Sequence, residues 1–152
     1  MINKILVATD ASAASNRALE MAVQFAGQHG AELLIVHVIR DMQLPFEIKE
    51  IPELEFNQFE SFSDAREEIM RKIAESVLRN AKEKAEKAGA DKVQTAIGTG
   101  DPATSILDFA RRRKVDMIVV GTRGMGKLKG TILGSVSRKV INNAETSCLI
   151  VR

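Results

Sequence analysis

The chain has 152 residues, which is the usual size of one domain rather than two. Hydrophobic residues make up 45% of the chain and charged residues 28%, so the composition is that of a globular protein and argues against disorder. The net charge of +2 is too small to favour nucleic acid or an anionic membrane surface as a partner.

Cysteine use and the first residues bear on where the protein works. The single cysteine, Cys148, cannot form an internal disulfide, and no Cys/His cluster has metal-ligand spacing. The apolar segment that follows Asn3 and Lys4 is too short for a signal peptide, and no apolar run reaches about 18 residues. We therefore expect a cytoplasmic protein without a membrane span.

Short apolar runs predict the strands. Four of them are continuous rather than alternating, as in strands buried on both faces of a parallel sheet: 5–8, 33–38, 117–120 and 149–151. A weaker candidate is 92–97, where apolar and polar residues alternate.

Helical periodicity fills the gaps between these runs. The predicted helices cover 15–28, 64–88, a segment that opens at Asp101-Pro102, and about 135–142. In the second of them the residues expected to face inward are Ile69, Ile73, Val77, Ala81, Ala85 and Ala88. The alternation predicts one α/β domain over 1–152, with a parallel sheet, helices on both faces and a long connection at 41–63. In such sheets ligands bind beyond the carboxyl ends of the strands.

Two of these strand ends carry weak signals. Asp10 follows the first strand, where it would either belong to a helix N-cap or accept hydrogen bonds from ribose hydroxyls. Segment 98–103 has the form G-x-G-x-x-A, but the next strand ends in Val120 rather than in an acid. A tight turn with a helix cap explains those glycines better than a dinucleotide site. His37, inside the second strand, is expected to be a hydrogen-bonded core histidine.

The segment after the fourth strand is the most informative. It holds five glycines within residues 121–134, which indicates backbone with positive φ or in close approach to a ligand. Gly134-Ser135 then opens a helix, whose N-terminus suits a phosphate. No acid occurs from 117 to 144, whereas the segment carries Arg123, Lys127, Lys129, Arg138 and Lys139. These features predict an anion-binding cradle; the alternative is a flexible basic surface loop.

The same segment contains a partial P-loop. Gly121-x4-Gly126-Lys127 fits the start of that motif, but Leu128 stands where a Ser or Thr hydroxyl should bind Mg²⁺. We therefore reject a P-loop NTPase mechanism.

The series Gly121-x2-Gly124-x9-Gly134-Ser135 resembles the ATP-binding signature of the universal stress protein family. The resemblance covers essentially the whole chain and extends to 4–12, 34–38, 100–102, 116–121 and 133–137. It implies a single-domain open five-stranded parallel sheet in the order 3-2-1-4-5, of the adenine nucleotide alpha-hydrolase-like type. It also implies a homodimer formed through the last strand, 147–152.

The resemblance further implies the residues that would hold ATP, with Mg²⁺. Asp10 and Gly121 would meet the ribose, and the adenine would be surrounded by Ala8, Thr9, Val38 and Val120. The phosphates would be bound by Gly124, Gly134, Ser135 and Val136, to which we add Arg123 and Lys127 because of their charge and placement. Two departures from the family pattern are Ala11, where Gly is frequent, and the absence of a Pro in the last strand.

These implications lead to an ATP-binding regulatory module of the stress response. Two alternatives stay open: a slow ATPase or autophosphorylating enzyme, and a nucleotide-independent chaperone-like dimer. We assign no catalytic residue, no metal ligand and no downstream protein partner. The connection at 41–63 holds four of the six phenylalanines, so we expect it to fold over the sheet edge, the nucleotide mouth or a partner subunit.

Overall fold

A computed structural model of the chain describes residues 1–40, 62–124 and 133–152. Within these ranges strands and helices alternate: β1 (Lys4–Ala8), α1 (Ala13–His29), β2 (Glu32–Ile39), α2 (Phe62–Lys87), β3 (Val93–Thr99), α3 (Pro102–Arg113), β4 (Met117–Gly121), α4 (Ser135–Asn143) and β5 (Ser147–Val151). Each predicted element is present, with its ends shifted by a few residues. The expectations for 41–61 fall outside the described residues.

The five strands form one parallel sheet in the order β3-β2-β1-β4-β5. This confirms the predicted fold class and strand order. The chain leaves β1 towards β2 on one side and leaves β4 towards β5 on the other, so the strand order reverses between β1 and β4. That reversal opens a crevice at the carboxyl ends of these two strands.

The core has two layers, one on each face of the sheet. Along β1, Ile5 and Val7 pack under α1 and α2, whereas Leu6 packs on the opposite face under α3. All three side chains are fully buried. The continuous apolar runs therefore arise as expected, because the central strands are covered on both faces. None of the helices in the described ranges combines the length and the apolar character that a membrane span requires.

The turn between β1 and α1 is held by short-range hydrogen bonds. Ala11 has a φ of +63° and donates its N–H to Thr9 Oγ1 at 3.2 Å. The Ser12 N–H donates to Asp10 Oδ1 at 3.0 Å, and Ser12 Oγ accepts from the Ser15 N–H as the N-cap of α1. Asp10 is thereby held at the carboxyl end of β1 by its own turn.

His37 is hydrogen-bonded, as the sequence predicted, but it is not a fully buried core residue. Its Nδ1 donates to the Thr9 carbonyl at 2.8 Å, because a carbonyl oxygen can only accept. The side chain is half-buried on the α1 side of β2. The bond ties the end of β2 to the end of β1, beyond the last ladder bond of β1.

The inward face predicted for α2 is partly wrong. Ile69, Ala81 and Ala85 are buried, but Ile73 is 47% exposed and Ala88 is exposed. Successive residues of a helix point about 100° apart, so Ile73 points away from the face that its neighbour Ala74 buries. The buried face continues instead through Ala74 and Leu78.

The turn predicted from Gly98 begins two residues later. Gly98 and Thr99 belong to β3, and the positive φ of +91° occurs at Gly100. Gly98 is buried because Ser105 and Phe109 of α3 pack against it and leave no room for a Cβ. The close packing of α3 on β3, rather than a turn, therefore accounts for glycine at this position.

Replacing Ile69 and Ile73 separately by alanine tests the orientation of α2. We expect Ile69→Ala to lower the free energy of unfolding by about 2–4 kcal/mol, because a buried side chain is lost. Ile73→Ala should change it by less than about 1 kcal/mol, since nearly half of that side chain is in water. Urea unfolding of both variants provides the measurement. Equal losses would contradict the exposed position of Ile73.

Ala11→Gly should stabilise the protein by about 0.5–1 kcal/mol. A left-handed backbone costs a non-glycine residue about 1–2 kcal/mol, and the greater freedom of glycine in the unfolded chain removes part of that gain. Gln24→Gly, at an exposed helical position of α1, is the control and should lose about 0.5–1 kcal/mol. Urea unfolding would show a loss for both variants if Ala11 were not in the left-handed region.

Candidate functional site

One cavity of about 310 Å³ lies at the carboxyl ends of β1, β2 and β4, beneath the starts of α3 and α4. This volume is within the range of small-molecule sites, about 300–1,000 Å³. Every predicted site residue in the described part of the chain lines it: Ala8, Thr9, Asp10, Val38, Val120, Gly121, Arg123, Gly124, Gly134, Ser135 and Val136. Lys127 lies outside the described residues.

One end of the cavity is apolar. It lies over β2 and β1 and against the first turns of α3, which packs on β2. Because strand side chains alternate between faces, Val36 and Val38 both face α3. The apolar residues that line the cavity here and along its floor are Ala8, Val36, Val38, Pro102, Ile106 and Val120.

The other end is formed by β4 and the N-terminus of α4. Helix geometry leaves the N–H groups of Ser135, Val136 and Ser137 without intrahelical acceptors. Gly134 is the N-cap, and no side chain caps this helix. The cavity thus borders a set of backbone donors at the positive end of a helix dipole.

Two residues fix the position of α4. The Gly134 N–H donates to the Thr122 carbonyl at 2.7 Å. The hydroxyl of Ser137, which is only 3% exposed, lies 2.7 Å from the Gly121 carbonyl and 3.3 Å from that of Thr122. The start of α4 is therefore attached directly to the end of β4.

Of the described glycines in this segment, Gly121 and Gly124 are explained by the close approach of other parts of the chain rather than of a ligand, and none of Gly121, Gly124 and Gly134 has the predicted positive φ. A Cβ at Gly121 would lie 2.8 Å from the Ala14 carbonyl carbon, and one at Gly124 would overlap the Asp10 carboxylate. A Cβ at Gly134 would lie 3.3 Å from the Thr122 carbonyl oxygen, so a side chain would fit there only with a small shift. Glycine lets α1, β1 and α4 meet around the cavity.

The charged residues that line the cavity are mostly cationic. Arg40, Arg123 and Arg138 are basic, and Asp10 is acidic. The Arg138 guanidinium also donates to the Leu133 carbonyl at 3.4 Å, which places it beside the start of α4. This balance favours an anionic ligand.

Asp101 connects the two helices that cover the cavity. Its carboxylate accepts from the Thr104 N–H at 3.0 Å as the N-cap of α3, and from Lys139 Nζ of α4 at 3.3 Å. The Thr104 N–H and hydroxyl, with the Lys139 ammonium, hold the pKa of Asp101 below its ordinary value. The cap stays ionised at neutral pH and links α3 to α4.

Some lining residues were not predicted: Val36, Arg40, Pro102, Ile106, Leu133 and Ser137. Arg138 also lines the cavity and is one of the cations of the predicted anion-binding cradle. Strand alternation from Val38 could have identified Val36 and Arg40. The spacing of Pro102 and Ile106 by one helical turn could have identified the wall formed by α3. The described ranges contain no group of three or more His, Cys, Asp or Glu side chains that could hold a metal ion.

Comparison with known proteins gives consistent matches over the full chain. The sequence model of the universal stress protein family matches residues 1–152. The chain is 40% identical to universal stress protein YxiE of Bacillus subtilis, with all of both chains covered.

Solved structures have the same fold. The hypothetical protein MJ0577 is 30% identical, with a TM-score of 0.80, 99% of this chain covered and 96% of the other. A universal stress protein solved in complex with cAMP is 27% identical, with a TM-score of 0.68, 99% of this chain covered and 97% of the other. The chain belongs to the universal stress protein family.

Proposed function

We propose that the protein is a nucleotide-binding regulatory module, that its ligand is an adenine nucleotide, and that this nucleotide is ATP. The observation that carries the proposal is the two-ended cavity, which is mainly apolar over β2 and has backbone donors and two of its three arginines near α4. A nucleotide has the same division between an apolar base and an anionic tail.

The apolar end suits the base. Val36, Val38 and Ile106 offer an apolar surface, and the strand ends that carry Ala8 and Thr9 supply backbone donors and acceptors. Asp10 lies between the two ends, where its carboxylate can accept hydrogen bonds from ribose hydroxyls.

The α4 end suits the phosphates. The N–H groups that follow Gly134 can donate to phosphate oxygens, and Arg123, Arg138 and Lys127 add positive charge. Mg²⁺ would bind mainly through those phosphates, because magnesium sites of this kind take only one or two protein ligands. Asp10, Thr9, Ser135 and Ser137 are the described residues with side-chain oxygens that line the same cavity, and Asp10 is the only carboxylate among them.

The relative solved with cAMP supports the same class of ligand. Its identity of 27% over nearly the whole chain makes a shared binding region a reasonable basis for the proposal. Nucleotide occupancy would act by favouring one state of the module over another.

The module would be a cytoplasmic homodimer. β5 forms one edge of the sheet, and its side chains Cys148, Leu149 and Ile150 are only half-buried. An unpaired edge strand with apolar side chains on both faces favours pairing with a second copy through 147–152. A cytoplasmic location agrees with the proposed ligand, because ATP is abundant in the cytoplasm.

Native mass spectrometry of the purified protein should show a dimer that carries an adenine nucleotide.

Added ATP with Mg²⁺ should also raise the melting temperature by about 5–10 °C at a hundredfold excess over Kd, since it binds only the folded state. CTP with Mg²⁺ is the control. No bound nucleotide and no shift with ATP would contradict the function, and a monomer mass at every concentration would contradict the dimer.

Gly134→Asp and Gly134→Asn form a matched pair at the N-cap of α4. Both side chains can cap the helix, so the free energy of unfolding should change by less than about 1 kcal/mol in either variant. The aspartate should weaken ATP binding at least about 10-fold more than the asparagine, because its charge repels the phosphates. Isothermal titration calorimetry provides the comparison. Equal affinities would show that no phosphate lies at this helix end.

A further inference from the structure

Arg40 lines the cavity at the end opposite to α4. It follows directly after β2, and strand alternation places it on the same face as Val36 and Val38. These two valines belong to the apolar layer under α3. Arg40 therefore extends the apolar wall of the cavity outward and ends it with a cation.

Arg40 is attached at the end of β2, whereas α4 follows β4. β2 and β4 are separated by β1, so the two strands lie about 10 Å apart in the sheet. Arg123 follows β4, and Arg138 belongs to α4, so both lie at the other end. The three arginines thus form two groups, and only one of them adjoins the N-terminus of α4.

We propose that Arg40 is a specificity-determining residue that contacts the base of the bound nucleotide rather than its phosphates. The assignment rests on the proposed function, which puts the base against Val38. A guanidinium group is planar and weakly hydrated, so it stacks on aromatic rings better than an ammonium group does. The aliphatic stem of Arg40 continues the apolar surface of Val38, and the guanidinium covers the ring at the cavity mouth.

Two arginine-to-leucine variants separate a base contact from a phosphate contact. Arg40→Leu should weaken the binding of adenosine and of ATP by the same factor, about 3- to 30-fold, because both ligands carry the base. Arg138→Leu should weaken ATP binding and change adenosine binding by less than about twofold, because adenosine has no phosphate. Isothermal titration calorimetry at one salt concentration measures the affinities of both ligands for the unmodified protein and for each variant, six in all.

Arg40→Lys tests the shape of the group separately from its charge. Arg40→Lys should recover less than half of the binding free energy that Arg40→Leu loses. Lysine keeps the positive charge but lacks the planar guanidinium group that would stack on the base. Circular dichroism and the melting temperature of each variant confirm folding, and Arg40 is exposed, so neither should change.

The possible failures are distinct. If Arg40→Leu weakens ATP but not adenosine, the residue contacts phosphate and the assignment is wrong, while the proposed function stands. If it changes neither affinity, Arg40 does not contact the nucleotide and the assignment is also wrong. If the unmodified protein binds neither ATP nor adenosine, the proposed function fails and the assignment fails with it.

Discussion

The cavity depends on the attachment of α4 to the end of β4. The Gly134 N–H and the buried Ser137 hydroxyl donate to the Thr122 and Gly121 carbonyls, with shortest distances of 2.7 Å. A helix of nine residues has little stability of its own, because isolated helices shorter than about 12 residues are marginal. The two contacts, together with the buried Val140, therefore determine where the helix N-terminus points. They keep the open N–H groups at the start of α4 beside the cavity.

The position of the cavity follows from the order of the strands. α1 leaves β1 on one face of the sheet, and α4 follows β4 on the other, so a gap opens between the two strand ends. Gly121 has no side chain, which lets the first turn of α1 approach at Ala14. Gly124 likewise accommodates the Asp10 carboxylate. The strand order determines where the crevice lies, and the absence of side chains at Gly121 and Gly124 lets the residues around it approach closely.

The sequence predicted what depends on local pattern. Continuous apolar runs identified the strands, because burial on both faces leaves a strong signal, and the strand ends then identified Asp10 and Gly134 as lining residues. The sequence did not predict the features that depend on packing between distant segments. Ile73 follows the helical spacing but lies outside the buried face of α2, and Gly98 is a glycine because α3 packs on it. The alternation of side chains along β2 from Val38 could also have predicted that Arg40 lines the cavity.

Gly134 shows how stability and binding compete at this site. α1 and α3 begin with side-chain caps, in which Ser12 and Asp101 accept from N–H groups three residues later. α4 begins at a glycine, and no side chain occupies its first N–H groups. The absence of a side-chain cap costs only a few tenths of a kcal/mol when the N-cap is glycine. An anion that binds to the same N–H groups can stabilise the folded protein by several times that free energy. The glycine N-cap therefore weakens the helix slightly but leaves its first N–H groups available to a ligand.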